Sequence, residues 1–453
     1  MTANSGTRSL RAALLNAATF SLASIGIAVG MASVNSAAAL VTQETLTPAA
    51  AVDTANTRPM WVGIGIRNEA GNSGGNCTGL LINPRTVLFA AHCVDGLAPA
   101  AYDGNSPGNR AQVGYTMDPT FGNANLRQWL FAQDYGNQPG WDGRTMFANS
   151  VNVFYHPASR NGADNGANDG TFLPADIAIA AFDTANGVLG RDAVNGIGLL
   201  FSPVTGQVAV QIGGFGQSGN ALTGARQSDF QRRLGSNILS FLGNERDISL
   251  GVYPVGLADQ FNPGSLTYQD LYWLDFDDPL RASRPLDAAN GTNPFDFDVF
   301  AGAAVTGEAI TAAGDSGSPL VTTAFGRAVS LGVLSQGSRF FFDVTDYDDN
   351  YAWFQTFSNY GTASGYNPLF LFWDFIVANN PYKYVGAVAG DGEWTDPTHW
   401  VQELDPLYFT LSGSTLVNGV PTTPGLGVSG ATPNFGTINP NPYPPEDCWY
   451  LGT

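Results

Sequence analysis

Three short segments carry side chains whose chemistries could combine. Ala90-Ala91-His92-Cys93 puts an imidazole, a base that titrates near neutrality, just after the apolar run Thr86-Val87-Leu88-Phe89. Asp176 heads a second apolar run, Ile177-Ala178-Ile179. Gly314-Asp315-Ser316-Gly317-Ser318 sets a serine in a turn whose glycines leave backbone N–H groups unobstructed. A hydroxyl is a poor nucleophile until a neighbouring base takes its proton, and a carboxylate can orient that base, so together the three could perform acyl transfer. Each has a plainer reading alone: a His beside a Cys as a structural or metal-related pair, an Asp before a strand as a turn residue. His156 and His399 are the other histidines, and Asp164, Asp169 and Asp183 are the rival acids.

The elements that must position these groups are short. Among 453 residues, 44% are hydrophobic and 12% aromatic, enough for one large core or two ordinary ones and too aromatic for a disordered chain. Fifty-five Gly and 27 Pro without a three-residue period exclude collagen and long helical bundles. With 38 acidic against 19 basic residues, the net charge of -19 argues against nucleic acid or an anionic membrane surface as partner. Runs such as Val62–Ile66, Thr86–Phe89, Val151–Phe154, Ile177–Ile179, Val208–Ile212 and Val329–Leu334, parted by Gly, Asn, Asp and Pro, predict an all-β chain. One helix is expected after Asn367-Pro368, through Leu371, Phe372, Phe375 and Ile376, and stopping at Asn379-Asn380-Pro381.

At the start, Arg8 and Arg11 precede the apolar run 12–32, and Ala37-Ala38-Ala39 closes it, the order of a secretory signal peptide cut after Ala39. The expected divisions are a signal at 1–39, a connector at 40–60, a main domain at 61–382 and a Gly/Pro-rich β extension at 383–453. A secreted, periplasmic or cell-surface protein follows, with no membrane span after cleavage. Three cysteines allow at most one intrachain bridge.

Taken together, Ala-Ala-His-Cys, the strand-leading Asp176 and Gly-Asp-Ser-Gly resemble the trypsin and chymotrypsin family of serine peptidases. His156-Pro157, Gly214-Phe215-Gly216 and Leu334-Ser335-Gln336-Gly337 are similar to weaker landmarks of that family, in the same order. The resemblance implies two antiparallel six-stranded β-barrels with a C-terminal helix and a small β-rich extension. It implies Ser316 as nucleophile, His92 as base, Asp176 as its orienting acid, and the N–H groups of Gly314 and Ser316 as oxyanion donors. It further implies a Cys77–Cys93 disulfide, support of Asp176 by Ser335, and peptide binding along Ser335, Gln336 and Gly337. No cofactor and no metal enter this chemistry.

The chain departs from the family in three ways. Long insertions separate His92, Asp176 and Ser316. The Arg followed by Ile-Val-Gly-Gly at which zymogens are cut is missing before Trp61, which leaves the partner of Asp315 open. Ile310 stands where the family sets the floor of its primary specificity pocket, and Ala312 and Ser318 replace a Cys and a Gly, so apolar or small residues are expected before the scissile bond. Other signals are weaker. Gly214 to Gly219 spells a dinucleotide fingerprint after a strand. Asp275 to Asp278 and Asp343 to Asn350 could take calcium or be solvated loops. Gly392-Glu393-Trp394 and Trp400 resemble the start of an autotransporter passenger. Cys448 is left over, either as a free thiol or for contact with another chain. An inactive protease-shaped binding or adhesion module and a serine esterase are the alternative functions.

Overall fold

The computed structural model describes residues 40–68, 74–102, 111–120, 145–148, 151–159, 174–182, 197–222, 224–244, 247–248, 251, 269–280, 298–302, 304–339, 358–429 and 435–439. The expected signal segment 1–39, Asp164, Asp169, Asp183, Asp343 to Asn350 and Cys448 lie outside them. Two large sheets, antiparallel along their main strand paths, dominate. In the first, Thr145–Ala148, Ala111–Thr116, Trp61–Asn68, Gly74–Asn83, Thr86–Phe89, Ala178–Phe182 and Val151–Tyr155 follow one another in space. In the second the order is Arg233–Leu239, Val208–Gly214, Pro319–Thr322, Val329–Arg339, Thr362–Pro368, Leu271–Asp275 and Phe241–Gly243. Against the expected six strands in each barrel, the described residues give seven strands in the first sheet and ten in the second, three of them at its side.

The apolar runs form strands because both faces are covered. Thr86–Phe89 and Ala178–Phe182 are buried at every residue, so each reads as continuous apolar sequence rather than an in-out alternation. Their register, Phe89 opposite Ala178, brings the residues just beyond each strand, His92 and Asp176, to one end of the first sheet. A disulfide joins Cys77 to Cys93, tying the loop that carries His92 back to the neighbouring strand.

The late α-helix is Trp373–Asn379, preceded by a 3₁₀ turn at Leu369–Leu371. It begins later than the sequence suggests, because Asn367 and Pro368 finish the strand Thr362–Pro368. No described helix is long and apolar enough to cross a membrane. After Val208–Gly214 the chain enters the strand Gln217–Asn220 instead of a helix, which removes the dinucleotide reading.

Both ends of the described chain are built into the sheets. Leu40–Thr42 is a buried strand of a small four-stranded sheet, lying parallel to Gln217–Asn220 and antiparallel to Ala309–Ile310. Asp53 is buried against the Arg232 guanidinium, which also donates to the carbonyls of Trp61 and Met117. At the other end, Tyr408–Ser412 pairs in parallel with Gly198–Leu200 and forms a hairpin with Thr415–Asn418. Asn380 ties this strand to the first sheet by accepting from Asn83 and donating to the Tyr408 hydroxyl. The sheet Tyr384–Ala387 with Trp400–Glu403 stands out from the body, with Trp394 79% exposed beside Trp400. Nothing in this geometry supports an autotransporter passenger.

The bridge closes a loop with a sequence separation of 16. Replacing Cys77 and Cys93 together with alanine is expected to cost about 3 kcal/mol of stability. Urea denaturation measures this as a lower midpoint, and an unmoved midpoint would show that the bridge contributes nothing.

Candidate active site

His92 sits in a 3₁₀ turn, Ala91–Cys93, directly after a strand. Asp176 approaches it from the entrance to Ala178–Phe182. One carboxylate oxygen of Asp176 accepts the His92 backbone N–H at 2.7 Å, and the other lies 2.7 Å from Nδ1 of the ring. That second oxygen also accepts the Ser335 hydroxyl at 2.6 Å. An ionised carboxylate can only accept, so Nδ1 carries the proton and the neutral ring leaves Nε2 as its basic lone pair. Burial pulls the His92 pKa down, but the charge and hydrogen bond of Asp176, with the charge of Asp95, carry it above its ordinary value.

The Ser316 turn packs against the strand end that leads to His92. Gly317 has φ +86°, and a Cβ there would stand 2.3 Å from the Thr78 carbonyl oxygen and 2.8 Å from the Ala90 nitrogen. Gly314 has φ +94°, so both glycines supply backbone that an L side chain rarely adopts. Thr78 holds this turn at two points: its N–H donates to the Ser316 carbonyl at 2.8 Å and its hydroxyl donates to the Gly314 carbonyl at 3.1 Å. The same hydroxyl accepts the Phe215 N–H at 3.0 Å. Sequence reasoning passed over Thr78, although its place beside Cys77 was the available signal. Among the described residues the N–H groups of Gly314 and Ser316 have no hydrogen-bond acceptor. Ser316 Oγ and His92 Nε2 are both buried and likewise have no hydrogen-bond partner.

The remaining expected residues fall around this centre. Ile310 is fully buried in the strand that pairs with Val41. Next to it, the Thr311 and Ser364 hydroxyls lie 2.7 Å apart. Gln336 and Gly337 pair with Gly365 and Ser364, and Ser335 falls at the register shift between Leu334 and Gln336. The Gln336 carboxamide is buried, and neither its oxygen nor its nitrogen has a hydrogen-bond partner. His156 packs edge-on to Phe372 and Phe375, and burial lowers its pKa. His399 packs against Trp400 in the outlying sheet. The His156 N–H donates to the Ile177 carbonyl at 3.2 Å, but neither ring is hydrogen-bonded to the Asp176 carboxylate.

Two further groups have the composition of metal sites. Cys77, His92 and Cys93 cluster, but both sulfurs are spent in the disulfide and offer no thiolate. Asp275, Asp277 and Asp298 bring carboxylate oxygens within 4.8 Å of one another. Burial pushes Asp275 up to about 8, the Phe300 N–H opposes this, and the charges of Asp298 and Glu308 add to it.

The Trypsin family matches residues 51–135. No curated protein matches the sequence. Among solved structures, a scabies mite inactivated protease paralogue is similar at 15% identity and a TM-score of 0.34, over 72% of this chain and 96% of that one. A likeness at that score carries no weight for the function of this chain.

Asp315 is fully buried. Its two oxygens accept the N–H groups of Gly216 and Ala312, each at 2.9 Å. Burial pushes its pKa up to about 7 from 3.8, against those hydrogen bonds and the charge of Arg233. The folded chain therefore retains a proton there that the unfolded chain has released. The resulting stabilisation is complete below the unfolded value and lost as pH rises through about 7. In the uncut chain, Asp315→Asn is expected to flatten the fall of the urea midpoint between about pH 4 and pH 7. Equal slopes in wild type and variant would contradict the assignment.

Proposed function

We propose that the chain is an exported serine endopeptidase that cleaves peptide bonds through an acyl-enzyme. The observation that carries this reading is the Asp176 carboxylate holding His92 by both its backbone and its ring, with Nε2 left bare where the Ser316 turn packs. Ser316 Oγ attacks the peptide carbonyl while His92 Nε2 takes its proton, and the same nitrogen returns the proton to the leaving amine. Asp176 keeps the ring in the Nδ1–H tautomer and stabilises the imidazolium. The N–H groups of Gly314 and Ser316 receive the oxyanion, a role in which one donor is typically worth about two to three decades of rate. Water then releases the acyl group by the same steps.

Substrate adds as an extended strand along Ser335 to Gly337. Ile310, with the Thr311–Ser364 hydroxyl pair beside it, suits a Phe, Leu or Ala side chain before the scissile bond and offers no anion to Arg or Lys. Residues 1–39 direct export.

Removal of that segment also bears on the serine turn. The pairing of Leu40 with Ser218 and of Val41 with Ile310 places Leu40 two register steps from Gly216 and one from the position opposite Ala312. Those are the two donors to Asp315. A cut after Ala39 would place an α-ammonium at the start of the strand that runs beside those donors, and a positive charge brought to Asp315 would favour its ionised form.

One observation favours a second reading. Ser316 Oγ and His92 Nε2 are not hydrogen-bonded to each other, as an inactive protease-shaped binding module would also be arranged. Labelling by a serine-directed phosphonate separates the two. The wild type cut after Ala39 is expected to label and to cleave casein, and Ser316→Ala to do neither. Absence of Ser316-dependent labelling, cut or uncut, would favour the binding module, and ester turnover without proteolysis would favour an esterase. A peptide library is expected to show cleavage after Phe, Leu or Ala, and strict cleavage after Arg would overturn the specificity.

A further inference from the structure

Asp176 is reached through an unusual piece of backbone. Ala175, directly before it, has φ +45°, in the left-handed region, although it is not glycine. The Ile177 N–H turns back to the Ala175 carbonyl at 2.7 Å, closing a three-residue turn with Asp176 at its centre. Nothing in the local sequence favours this: alanine has no side-chain acceptor to stabilise a left-handed conformation, as Asn or Asp would have.

The turn is held from the second sheet. Gln269 Oε1 accepts the Ala175 N–H at 2.7 Å, and Asn367 Nδ2 donates to the Asp176 carbonyl at 2.9 Å. Gln269 Nε2 then donates to Asn367 Oδ1. Gln269 and Asn367 are both fully buried. The donor and acceptor inventory allows one arrangement only. An N–H fixes which atom Gln269 presents, a C=O fixes which atom Asn367 presents, and the two leftover atoms complement each other. Aliphatic side chains of the same size would fill the space but would leave the Ala175 N–H and the Asp176 C=O buried and unpaired.

We propose that Gln269 and Asn367 are positioning residues that hold the strained turn at Ala175 and thereby aim the Asp176 carboxylate at His92. The inference rests on the peptidase reading of Asp176 for its functional meaning, but its geometry can be tested without turnover. Relaxation of Ala175 to an ordinary backbone conformation rotates the next residue, and with it the carboxylate, away from a ring it meets at 2.7 Å. The groups acting on the His92 charge are Asp176 and Asp95, against burial. Weakening the Asp176 contact leaves burial dominant and lowers the affinity of the ring for its proton.

The test compares wild type with Asn367→Leu and Gln269→Met, in the full chain and in the chain cut after Ala39. His92 is titrated by proton NMR, with His156→Gln and His399→Gln used to assign the three histidines. Both variants are expected to lower the His92 pKa by about one unit. In the cut chain, kcat is expected to fall about 10- to 100-fold with KM little changed, and the acid limb of the pH profile to move to lower pH. Ala175→Gly, which accepts the same φ without strain, is expected to leave the His92 titration unchanged in the wild-type background and to restore part of the shift in the Asn367→Leu background. A purely structural role lowers the melting temperature of Asn367→Leu and Gln269→Met while leaving the titration of the folded protein unmoved, and that result would overturn the proposal. If Asn367→Leu does not fold, Asn367→Ser and Gln269→Met decide by the same titration. A shifted titration in a chain whose wild type has no activity would retain the clamp and sink the peptidase reading instead.

Discussion

The buried carboxylate of Asp176 is the group on which the arrangement depends. A carboxylate taken out of water is tolerated only when its oxygens are filled by donors. Here the donors are the backbone and ring of His92, from the first sheet, and the hydroxyl of Ser335, from the second. One anion thus fixes an imidazole and joins two sheets that, among the described residues, share no hydrogen-bonded strand pair. Losing any of its donors would leave charge exposed to an apolar interior, a cost of the kind that makes such positions intolerant of change.

The serine turn follows a different logic, that of close backbone approach. Gly317 lies so near Thr78 and Ala90 that no side chain fits, and Gly314 adopts a conformation reserved almost entirely for glycine. Thr78 then fastens the turn through its N–H and hydroxyl. The N–H groups needed for an oxyanion are displayed because the carbonyls of the turn are engaged elsewhere. Asp315 beside them is buried, with the N–H groups of Gly216 and Ala312 as donors and the charge of Arg233 acting on it.

Much of this was legible in the linear sequence. His92, Asp176 and Ser316 stood out because their neighbours have special properties: small residues around the histidine, an apolar strand behind the acid, glycines about the serine. The strands buried on both faces were legible as unbroken apolar runs. Harder to read were Thr78, Gln269 and Asn367, since a threonine and two amides in β-like surroundings look the same whether they face water or a strained turn. The segments at 40–60 and beyond Tyr382 gave no sign of their docking, because a strand of three residues such as Leu40–Thr42 is too short to show a period.

The sequence by itself therefore determined the types of group available, an acid, a base, a hydroxyl and flexible turns, together with the β character of the chain. Hydrophobic patterning and glycine stereochemistry are local properties and can be read locally. The tertiary structure alone decided which partners those groups have: Ser335 and Asn367 lie 159 and 191 residues from Asp176. Hydrogen bonds of that kind are set by strand register between distant segments, which burial of the whole core selects.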